Sequence, residues 1–402
     1  MSYLTLKKAF HRRDVDAGSL YQERFSSRKA IHLDFDIKGN QAFLYMDDAL
    51  YTQMLRITKA DKVILGLTQE LPGRAIQQYT ERTLIDEIVL SNEIEGVNSS
   101  RREIGKILRN LEKQDKKKRF FGIVNKYNML IQGEVIPIDT TEDIRKIYDD
   151  LVLSEVTSDN PNNVPDGRLF RKDSVSVTGP AGDEIHRGVL PESRIEECLV
   201  KALNFLNADK SELPIKTAVF HYLLGYIHPF YDGNGRLNRF ISSALLLREY
   251  EPLVGLRLSY AITESIEKYY KDFSTCNDVL NKGDLTPFVL MFLDVITQAV
   301  EDIVSVLTEK KELLRINQDQ LRKIETLTED SDLFNLAFIL LQARMFSGDG
   351  ISTLELMNYF GISRPTIMKR LEYISNLGLL EKERIGREVH YQLNLDILQS
   401  IK

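Results

Sequence analysis

One short stretch of the sequence, residues 228–239 (HPFYDGNGRLNR), holds the residue types from which a phosphate-transfer site can be built. Gly233 and Gly235 have no Cβ, so the backbone there can turn tightly and lie close to a ligand. A helix is predicted to begin at these glycines, and the free N–H groups and dipole of a helix N-terminus attract phosphate. The stretch therefore predicts an anion site in a helix–loop–helix.

The charged side chains of the same stretch supply the other parts of such a site. Arg236 and Arg239 are three residues apart, so we expect both guanidinium groups to face the same anion. Asp232 is a hard oxygen ligand suited to a Mg²⁺ ion that bridges phosphates. His228 can take a proton from an attacking hydroxyl group near neutral pH. A base, a metal ligand and an oxyanion cradle together predict phosphoryl or nucleotidyl transfer.

The stretch resembles the motif of the Fic family, HxFx(D/E)GNGRxxR, and agrees with it at every defined position. The resemblance implies transfer of AMP from ATP to a hydroxyl side chain of a protein, with release of pyrophosphate. It implies these roles: His228 as general base, Asp232 as Mg²⁺ ligand, the amides of Gly233, Asn234, Gly235 and Arg236 as phosphate cradle, Asn234 at the α-phosphate, Arg236 at the β-phosphate and Arg239 at the γ-phosphate. Related phosphotransferase toxins have a lysine where this chain has Gly235, which favours nucleotidyl transfer. Transfer of another nucleotide, such as UMP, stays open.

A second pattern lies upstream, where residues 91–96 (SNEIEG) resemble the inhibitory pattern of the same family, (S/T)xxxE(G/N). On a helix, Ser91 and Glu95 are four residues apart and share a face, and Gly96 is a good C-terminal cap. The resemblance implies that Glu95 forms an ion pair with Arg239, occupies the γ-phosphate position and inhibits the protein. The alternative is a surface helix that ends at a glycine. Some relatives use the same glutamate to remove AMP, so that reaction also stays open.

A predicted β-hairpin around residues 174–190 resembles the flap of the family, which holds the backbone of a target protein by strand pairing. Residues 174–177 alternate like a strand, and residues 178–183 have the composition of a turn. The resemblance implies a target protein as partner, and self-modification stays open. The alternative is an ordinary exposed hairpin.

These residues must be positioned by helices, and the sequence predicts a mainly α-helical core. The apolar residues of 213–226 indicate a buried helix before the motif, and residues 236–250 indicate a second helix after it. Residues 83–96 carry an amphipathic stripe that ends at a glycine. Residues 1–45 are expected to be mostly irregular, with short extended pieces at residues 30–35 and 41–46.

Residues 331–402 resemble a winged-helix module, with three helices followed by two strands. The third helix, at about 364–377, is the expected recognition helix, and its candidate nucleic-acid contacts are Arg364, Lys369 and Arg370. The module has eight Lys and Arg residues against eight Asp and Glu residues, so it has little long-range attraction for DNA. DNA binding, protein docking and homodimerisation stay open, as does a DNA-binding regulator whose Fic-like core senses nucleotides.

Composition sets the outer limits. The chain has 402 residues and a net charge of −6, which argues against a polycationic protein that coats nucleic acid. Its two cysteines exclude a disulfide framework or a thiolate zinc site. No targeting or membrane-spanning segment is visible, so we expect a cytoplasmic protein without membrane contact. Four regions are predicted: an N-terminal region 1–115 with the inhibitory helix at about 81–96, a Fic core 116–300, a helical connector 301–330 and the winged-helix domain 331–402.

Overall fold

The computed structural model describes residues 3–113, 118–179, 184–386 and 388–400. The fold is mainly α-helical, which confirms the predicted class. The helices, in chain order, are α1 (Leu6–Phe10), α2 (Ala17–Phe25), α3 (Asp48–Glu70), α4 (Gly73–Ile94), α5 (Arg101–Leu108), α6 (Phe121–Ile131), α7 (Thr141–Tyr148), α8 (Ser154–Asp159), α9 (Glu192–Ala208), α10 (Leu213–Ile227), α11 (Asn234–Leu246), α12 (Pro252–Gly255), α13 (Leu258–Glu264), α14 (Ile266–Cys276), α15 (Thr286–Leu321), α16 (Glu325–Thr328), α17 (Ser331–Phe346), α18 (Thr353–Phe360), α19 (Arg364–Asn376) and α20 (Leu395–Ser400). A turn of π-helix, Asp149–Leu153, joins α7 to α8.

The sheets of the described residues are small and antiparallel. The strands are β1 (Ala30–Ile37), β2 (Asn40–Tyr45), β3 (Ser176–Thr178), β4 (Glu184–Arg187), β5 (Ile351–Ser352), β6 (Leu380–Ile385) and β7 (Glu388–Leu393). β1 pairs with β2, β3 pairs with β4, and β7 lies between β5 and β6. The predicted hairpin is thus present as β3 and β4, although most of its predicted turn, residues 180–183, lies outside the described residues.

The chain divides into two compact units. The first contains Met1–Asp61 and Ile85–Val300, and it holds both the motif and residues 91–96. The second contains Lys62–Leu84 and Glu301–Lys402. No pattern in the sequence predicts that residues 62–84 group with the C-terminal residues, because such a grouping depends on packing between distant segments. The four functional regions proposed from the sequence stay a prediction.

Helices α10 and α11 hold the motif between them. α10 is apolar on nearly all sides, and Pro214 lies in its first turn, where its missing N–H has no intrahelical partner to lose. It ends at His228, whose φ of +51° is left-handed, and α11 follows Gly233, whose φ is +79°. A Cβ at Gly233 would lie 2.9 Å from Cγ2 of Val152, so the turn needs a glycine for both backbone conformation and space. Among the described residues, no helix combines the length and apolar character needed to cross a membrane.

Two short N-terminal helices differ from the prediction that residues 1–45 are irregular. α1 begins after Thr5, whose side chain accepts a hydrogen bond from the N–H of Lys8. α2 begins after Asp16, whose side chain accepts from the N–H of Gly18. Threonine and aspartate are favoured at this position. The capping signal was therefore present, although the helices are too short for a clear hydrophobic period.

The C-terminal elements follow the predicted order, with two differences. α15 is a single helix of 36 residues that runs through most of the predicted connector. Ile351 and Ser352 form strand β5 and pair with Tyr391 and His390, so the module has a short third strand besides the two that were predicted. α18 begins only after Ser352, whose side chain accepts from the N–H of Glu355 in a capping box. The winged-helix assignment itself stays a prediction.

Candidate active site

The motif lines a cavity of about 230 Å³ in the first unit. Its wall is formed by the motif and the end of α10, the hairpin, helix α14, and Glu95 just after α4. The predicted site residues on the wall are Glu95, His228, Asp232, Gly233, Asn234, Gly235 and Arg239. The wall also includes Val175, Ser176 and Val177 from the predicted hairpin, together with Tyr269, Tyr270 and Phe273 from α14, which the sequence did not single out.

The loop between α10 and α11 is held in shape by Asn234. Its side-chain oxygen accepts from the N–H of Phe230 at 3.0 Å, and its Nδ2 donates to the carbonyl of Phe230 at 2.8 Å. Phe230 is fully buried beneath the loop and stacks on Tyr148 with ring centroids 3.6 Å apart. The Asn234 amide therefore clamps the loop in this structure, a role that its spacing in the motif did not reveal.

His228 is present as a neutral base. Its Nδ1 lies 3.4 Å from the carbonyl oxygen of Gly225. A carbonyl only accepts, so the proton is on Nδ1 and the lone pair is on Nε2. Burial lowers the pKa of His228 to about 4, while the negative charge of Glu95 acts in the opposite direction. The imidazole is therefore neutral at pH 7 and able to accept a proton.

Arg239 is buried, and its guanidinium forms hydrogen bonds with residues at the C-terminal end of α4. Nε donates to Oγ of Ser91 at 2.9 Å, and Nη2 donates to the Ser91 carbonyl at 2.7 Å. Nη1 forms an ion pair with Oε1 of Glu95 at 2.9 Å. The Ser91 carbonyl is available because the helix tightens at its end, where the N–H of Glu95 bonds to Asn92 instead. The ion pair that the family resemblance implies is thus present in the structure.

The carboxylate of Glu95 also covers the beginning of α11. A Cβ added to Gly235 would lie 2.0 Å from Oε1 of Glu95, so the absence of a side chain leaves room for this carboxylate. Gly235 is the second residue of α11, and its region carries the positive end of the helix dipole. Glu95 therefore occupies the same neighbourhood of amides and guanidinium in which a phosphate was predicted.

Arg236 does not line the cavity. Its guanidinium is 1% exposed and forms an ion pair with Glu155, whose side chain is 6% exposed. The spacing of three residues predicted that Arg236 and Arg239 face one anion, but the structure directs them to different carboxylates. Each arginine packs against a different neighbour, α8 for Arg236 and α4 for Arg239, and this outweighs their closeness on α11. Glu155 was missed because nothing in its local sequence marks it.

Asp232 lies on the cavity wall next to the start of α11. One of its carboxylate oxygens accepts a short hydrogen bond from the N–H of Gly233. Within the described residues there is no cluster of three or more His, Cys, Asp or Glu side chains that could hold a metal by themselves. A single carboxylate fits a Mg²⁺ ion that takes its remaining ligands from phosphates and water.

His221 belongs to the buried framework of the site, as its position in an apolar helix predicts. Its Nδ1 lies 2.7 Å from Oγ of Ser242 and its Nε2 lies 2.8 Å from the Tyr269 hydroxyl. Ser242 donates its own proton to the carbonyl of Asn238, so it accepts from His221. The Tyr269 hydroxyl must then donate to Nε2, which fixes this tyrosine of the cavity wall. Burial lowers the pKa of His221 to about 3.

Glu87 is a further buried carboxylate that the sequence did not reveal. It lies one turn before Ser91 on α4 and accepts from the N–H and hydroxyl of Ser259 at 2.8 and 2.7 Å. Burial raises its pKa to about 7. Glu87, Ser91 and Glu95 share one face of α4, so this face is attached both to α13 and to Arg239.

The hairpin stands beside the cavity and is attached to α10. Val177 pairs with His186 across β3 and β4. Nε2 of His186 lies 2.7 Å from the carbonyl of Tyr226, so the ring donates to that helix. Burial lowers the pKa of His186 to about 4, so the ring is neutral at pH 7.

The candidate nucleic-acid contacts lie on α19 in the second unit. Arg364 and Lys369 are exposed. Arg370 forms an ion pair with Asp332 of α17, so part of its charge is compensated.

Comparisons with known proteins agree with the motif. Residues 137–246 match the Fic/DOC family. A Protein adenylyltransferase Fic of Culex quinquefasciatus is 39% identical over 93 residues, which are 22% of this chain and 17% of that protein. Another of the same name, from Drosophila persimilis, is 33% identical over 133 residues, which are 32% of this chain and 23% of that protein. The chain thus spans about a fifth of the length of these curated relatives.

Solved structures of Fic proteins are also similar. A Fic family protein from Desulfovibrio desulfuricans G20 has a TM-score of 0.48 and 20% identity, covering 87% of this chain and 96% of that one. Fic-1 from C. elegans has a TM-score of 0.44 and 20% identity, covering 64% of this chain and 74% of that one. The match of residues 137–246 and the curated relatives place a Fic/DOC family domain in this chain.

Proposed function

We propose that this chain transfers AMP from ATP to a hydroxyl side chain of a protein and releases pyrophosphate. One observation carries the proposal: a neutral His228, the first amides of α11 and the Arg239 guanidinium all face one cavity. The relatives named as adenylyltransferases support the same chemistry. The chain covers only a small share of those relatives, so the activity is assigned here from the site.

The chain's own residues account for the steps of such a transfer. The acceptor oxygen attacks the α-phosphorus, its proton moves to Nε2 of His228, and the bond to the leaving pyrophosphate breaks with its electron pair. The free N–H groups at the start of α11 stabilise the negative charge on the phosphate oxygens. Asn234 keeps these amides in place by holding the loop at Phe230.

A Mg²⁺ ion fits this site, and Asp232 is the residue that would hold it. When bound, the ion would offset the charge of the phosphates. On the α14 part of the wall, Tyr269, Tyr270 and Phe273 offer aromatic surface for a nucleobase. Aromatic stacking accepts every base, so these side chains do not distinguish ATP from UTP, and the experiment below compares the two nucleotides.

Glu95 is proposed as an inhibitor of the same reaction. Its carboxylate holds Arg239 at 2.9 Å, and a phosphate that needs this guanidinium must displace it. Competition of this kind is a coupling between the end of α4 and the nucleotide site. The hairpin is proposed to bind the target protein, because Val175, Ser176 and Val177 line the cavity.

The decisive experiment compares the wild type, Glu95→Gly and His228→Ala, each incubated with Mg²⁺ and labelled ATP and analysed by intact mass. We expect Glu95→Gly to gain the mass of AMP by self-modification, the wild type to gain less, and His228→Ala to gain none. A parallel incubation with UTP in place of ATP shows which nucleotide is transferred. Incubation of the modified protein with unmodified wild-type protein then tests whether the wild type removes AMP. Equal modification of all three proteins would contradict the assigned base and the inhibitor together.

DNA binding by residues 331–402 is a second candidate function, favoured by the exposure of Arg364 and Lys369 on α19. The double variant Arg364→Glu, Lys369→Glu should abolish a gel shift of duplex DNA and leave self-modification of the Glu95→Gly protein unchanged. If the wild-type protein does not shift duplex DNA in the gel even at low salt, this function is excluded.

A further inference from the structure

Arg171 lies between α8 and β3 and is completely buried. It contacts the carbonyl groups of three consecutive residues centred on His228. Its Nε donates to His228 at 2.8 Å, its Nη2 to Ile227 at 3.4 Å, and its own backbone N–H to Pro229 at 3.2 Å. The main chain on both sides of the proposed base is therefore held by one residue.

The same guanidinium reaches both ends of the hairpin. Nη1 donates to the carbonyl of Asp173, before β3, at 2.7 Å. Nη2 donates to the carbonyl of Val189, after β4, at 3.0 Å. A Cβ at Gly188 would lie 2.2 Å from this Nη2, so the chain leaves room for the guanidinium by having glycine there.

The chemistry of arginine suits this position. Its planar group presents five N–H donors in a fixed fork, whereas a lysine offers a single compact ammonium. The acceptors at Ile227 and His228 lie at the end of α10, where the carbonyls carry the negative end of the helix dipole. His228 is held with a φ of +51°, a strained conformation for a residue with a side chain, so its backbone needs support from its surroundings.

We propose that Arg171 is a positioning residue that fixes the backbone of His228 and ties the hairpin to it. The proposal rests on the proposed function, because the importance of His228 comes from its role as the base. Arg171 does not itself line the cavity and contacts His228 only at the backbone, so it acts through His228 and the hairpin.

Three charged or titratable groups act on the His228 imidazole from the elements around it. Glu95 raises the pKa of His228, whereas Arg171 and His186 lower it. Burial lowers the pKa of Arg171 to about 10, so it stays protonated at neutral pH. Loss of the Arg171 charge therefore raises the pKa of His228, an effect that a neutral packing residue would not have.

The test uses the full chain with Glu95→Gly as parent, and adds Arg171→Gln, Arg171→Lys or Gly188→Ala. Arg168→Gln is the matched control, because Arg168 lies three residues away and its side chain is 61% exposed. The measurements are kcat and KM for ATP, and the NMR titration of His228 without nucleotide, assigned with His228→Ala.

We expect kcat to fall about 10- to 100-fold in all three variants with little change in KM for ATP, because a misplaced base costs that much. In Arg171→Gln the titration of His228 should also move to higher pH, while in Arg171→Lys, which keeps the charge, it should move less. Gly188→Ala leaves Arg171 in the sequence, and its Cβ would lie 2.2 Å from Nη2 of Arg171 and 3.1 Å from Cβ of His228. An unchanged kcat in this variant therefore argues against the positioning role even if the Arg171 variants do not fold. Arg168→Gln should behave as the parent.

Two results together would overturn the proposal. They are a His228 titration curve in Arg171→Gln that is identical to the curve of the parent, and a kcat in folded Gly188→Ala that equals the kcat of the parent. The NMR measurement needs no AMP transfer. A parent that transfers no AMP but whose His228 titration responds to Arg171→Gln would refute the proposed function and leave the positioning role intact.

Discussion

Two arginine–carboxylate pairs begin on the same turn of α11 and differ in almost every other respect. Arg236 and Glu155 have side chains that are 1% and 6% exposed. Arg239 and Glu95 have side chains that are 3% and 24% exposed, and Glu95 borders the cavity. The first pair does not border this cavity, whereas the second pair places a carboxylate on its wall. Position on the cavity wall, rather than the arginine itself, distinguishes the proposed exchangeable contact of Arg239 from the framework contact of Arg236.

The difference follows from where each carboxylate sits on its helix. Glu155 is the second residue of α8, which continues directly from the π-helical turn Asp149–Leu153. Glu95 comes just after the last residue of α4, and Arg239 has two further hydrogen bonds, to Ser91, that do not involve Glu95. The predictions below test this contrast, from the largest expected effect to the smallest.

Glu155→Ala should lower the free energy of unfolding by about 3–5 kcal/mol, because it leaves Arg236 as a buried charge without its partner. Urea unfolding of the wild type and the variant measures this. Glu197→Ala is the control, since Glu197 forms an ion pair with Arg194 on the surface of α9 and its loss should change little. If Glu155→Ala lowers the free energy of unfolding as little as Glu197→Ala does, the Arg236–Glu155 pair is not the framework contact described above.

Glu95→Gly should raise self-modification by about 5- to 150-fold, the usual range of a coupling between two sites. Its thermal unfolding should remain close to that of the wild type, because Arg239 retains Ser91. Glu93→Gly is the matched control, since it places a glycine in the same helical turn at an exposed position. Equal activation by both variants would show that loosening of the helix end, and not loss of the ion pair, is responsible.

Ser91→Ala should leave self-modification within about fivefold of the wild type, because the hydrogen bond between Ser91 and Arg239 does not depend on Glu95 and is worth only about 1 kcal/mol. The substitution removes the bond from Nε of Arg239 and leaves the bond to the Ser91 carbonyl. Rates of AMP incorporation at one subsaturating ATP concentration give the comparison with Glu95→Gly. Activation by Ser91→Ala that matches Glu95→Gly would mean that Ser91 contributes as much as the carboxylate.

The acid limb of kcat/KM should lie at lower pH in Glu95→Gly than in the wild type. The base must be neutral, so activity is lost as the pH falls through the pKa of His228. The negative charge of Glu95 raises that pKa, and its removal lowers it. Glu155→Gln should leave the limb in place, because Glu155 does not act on His228. A shift to higher pH in Glu95→Gly would contradict the assignment of the base.

The helices around the motif were predictable from the sequence because each has a long run of apolar residues or a glycine at its end. α10, α11 and the end of α4 at Gly96 were predicted from apolar residues and glycines. α1 and α2 were not, because helices of 5 and 9 residues have too few turns for a period to show. Strand β5 was also missed, since two residues that pair with β7 have no pattern of their own.

The sequence by itself identified the candidate site residues that lie together within one turn or one loop: His228, Asp232, the predicted phosphate cradle from Gly233 to Arg236, and the Ser91–Glu95 face. Only the tertiary structure decided which distant groups hold them. Arg171 lies 57 residues from His228, Glu155 lies 81 residues from Arg236, and Ser91 lies 148 residues from Arg239. Local spacing fixes which side chains share a helical turn, but contacts between distant segments depend on how whole elements pack. For this reason the sequence identified both arginines of α11, and the structure alone showed that only Arg239 reaches the cavity.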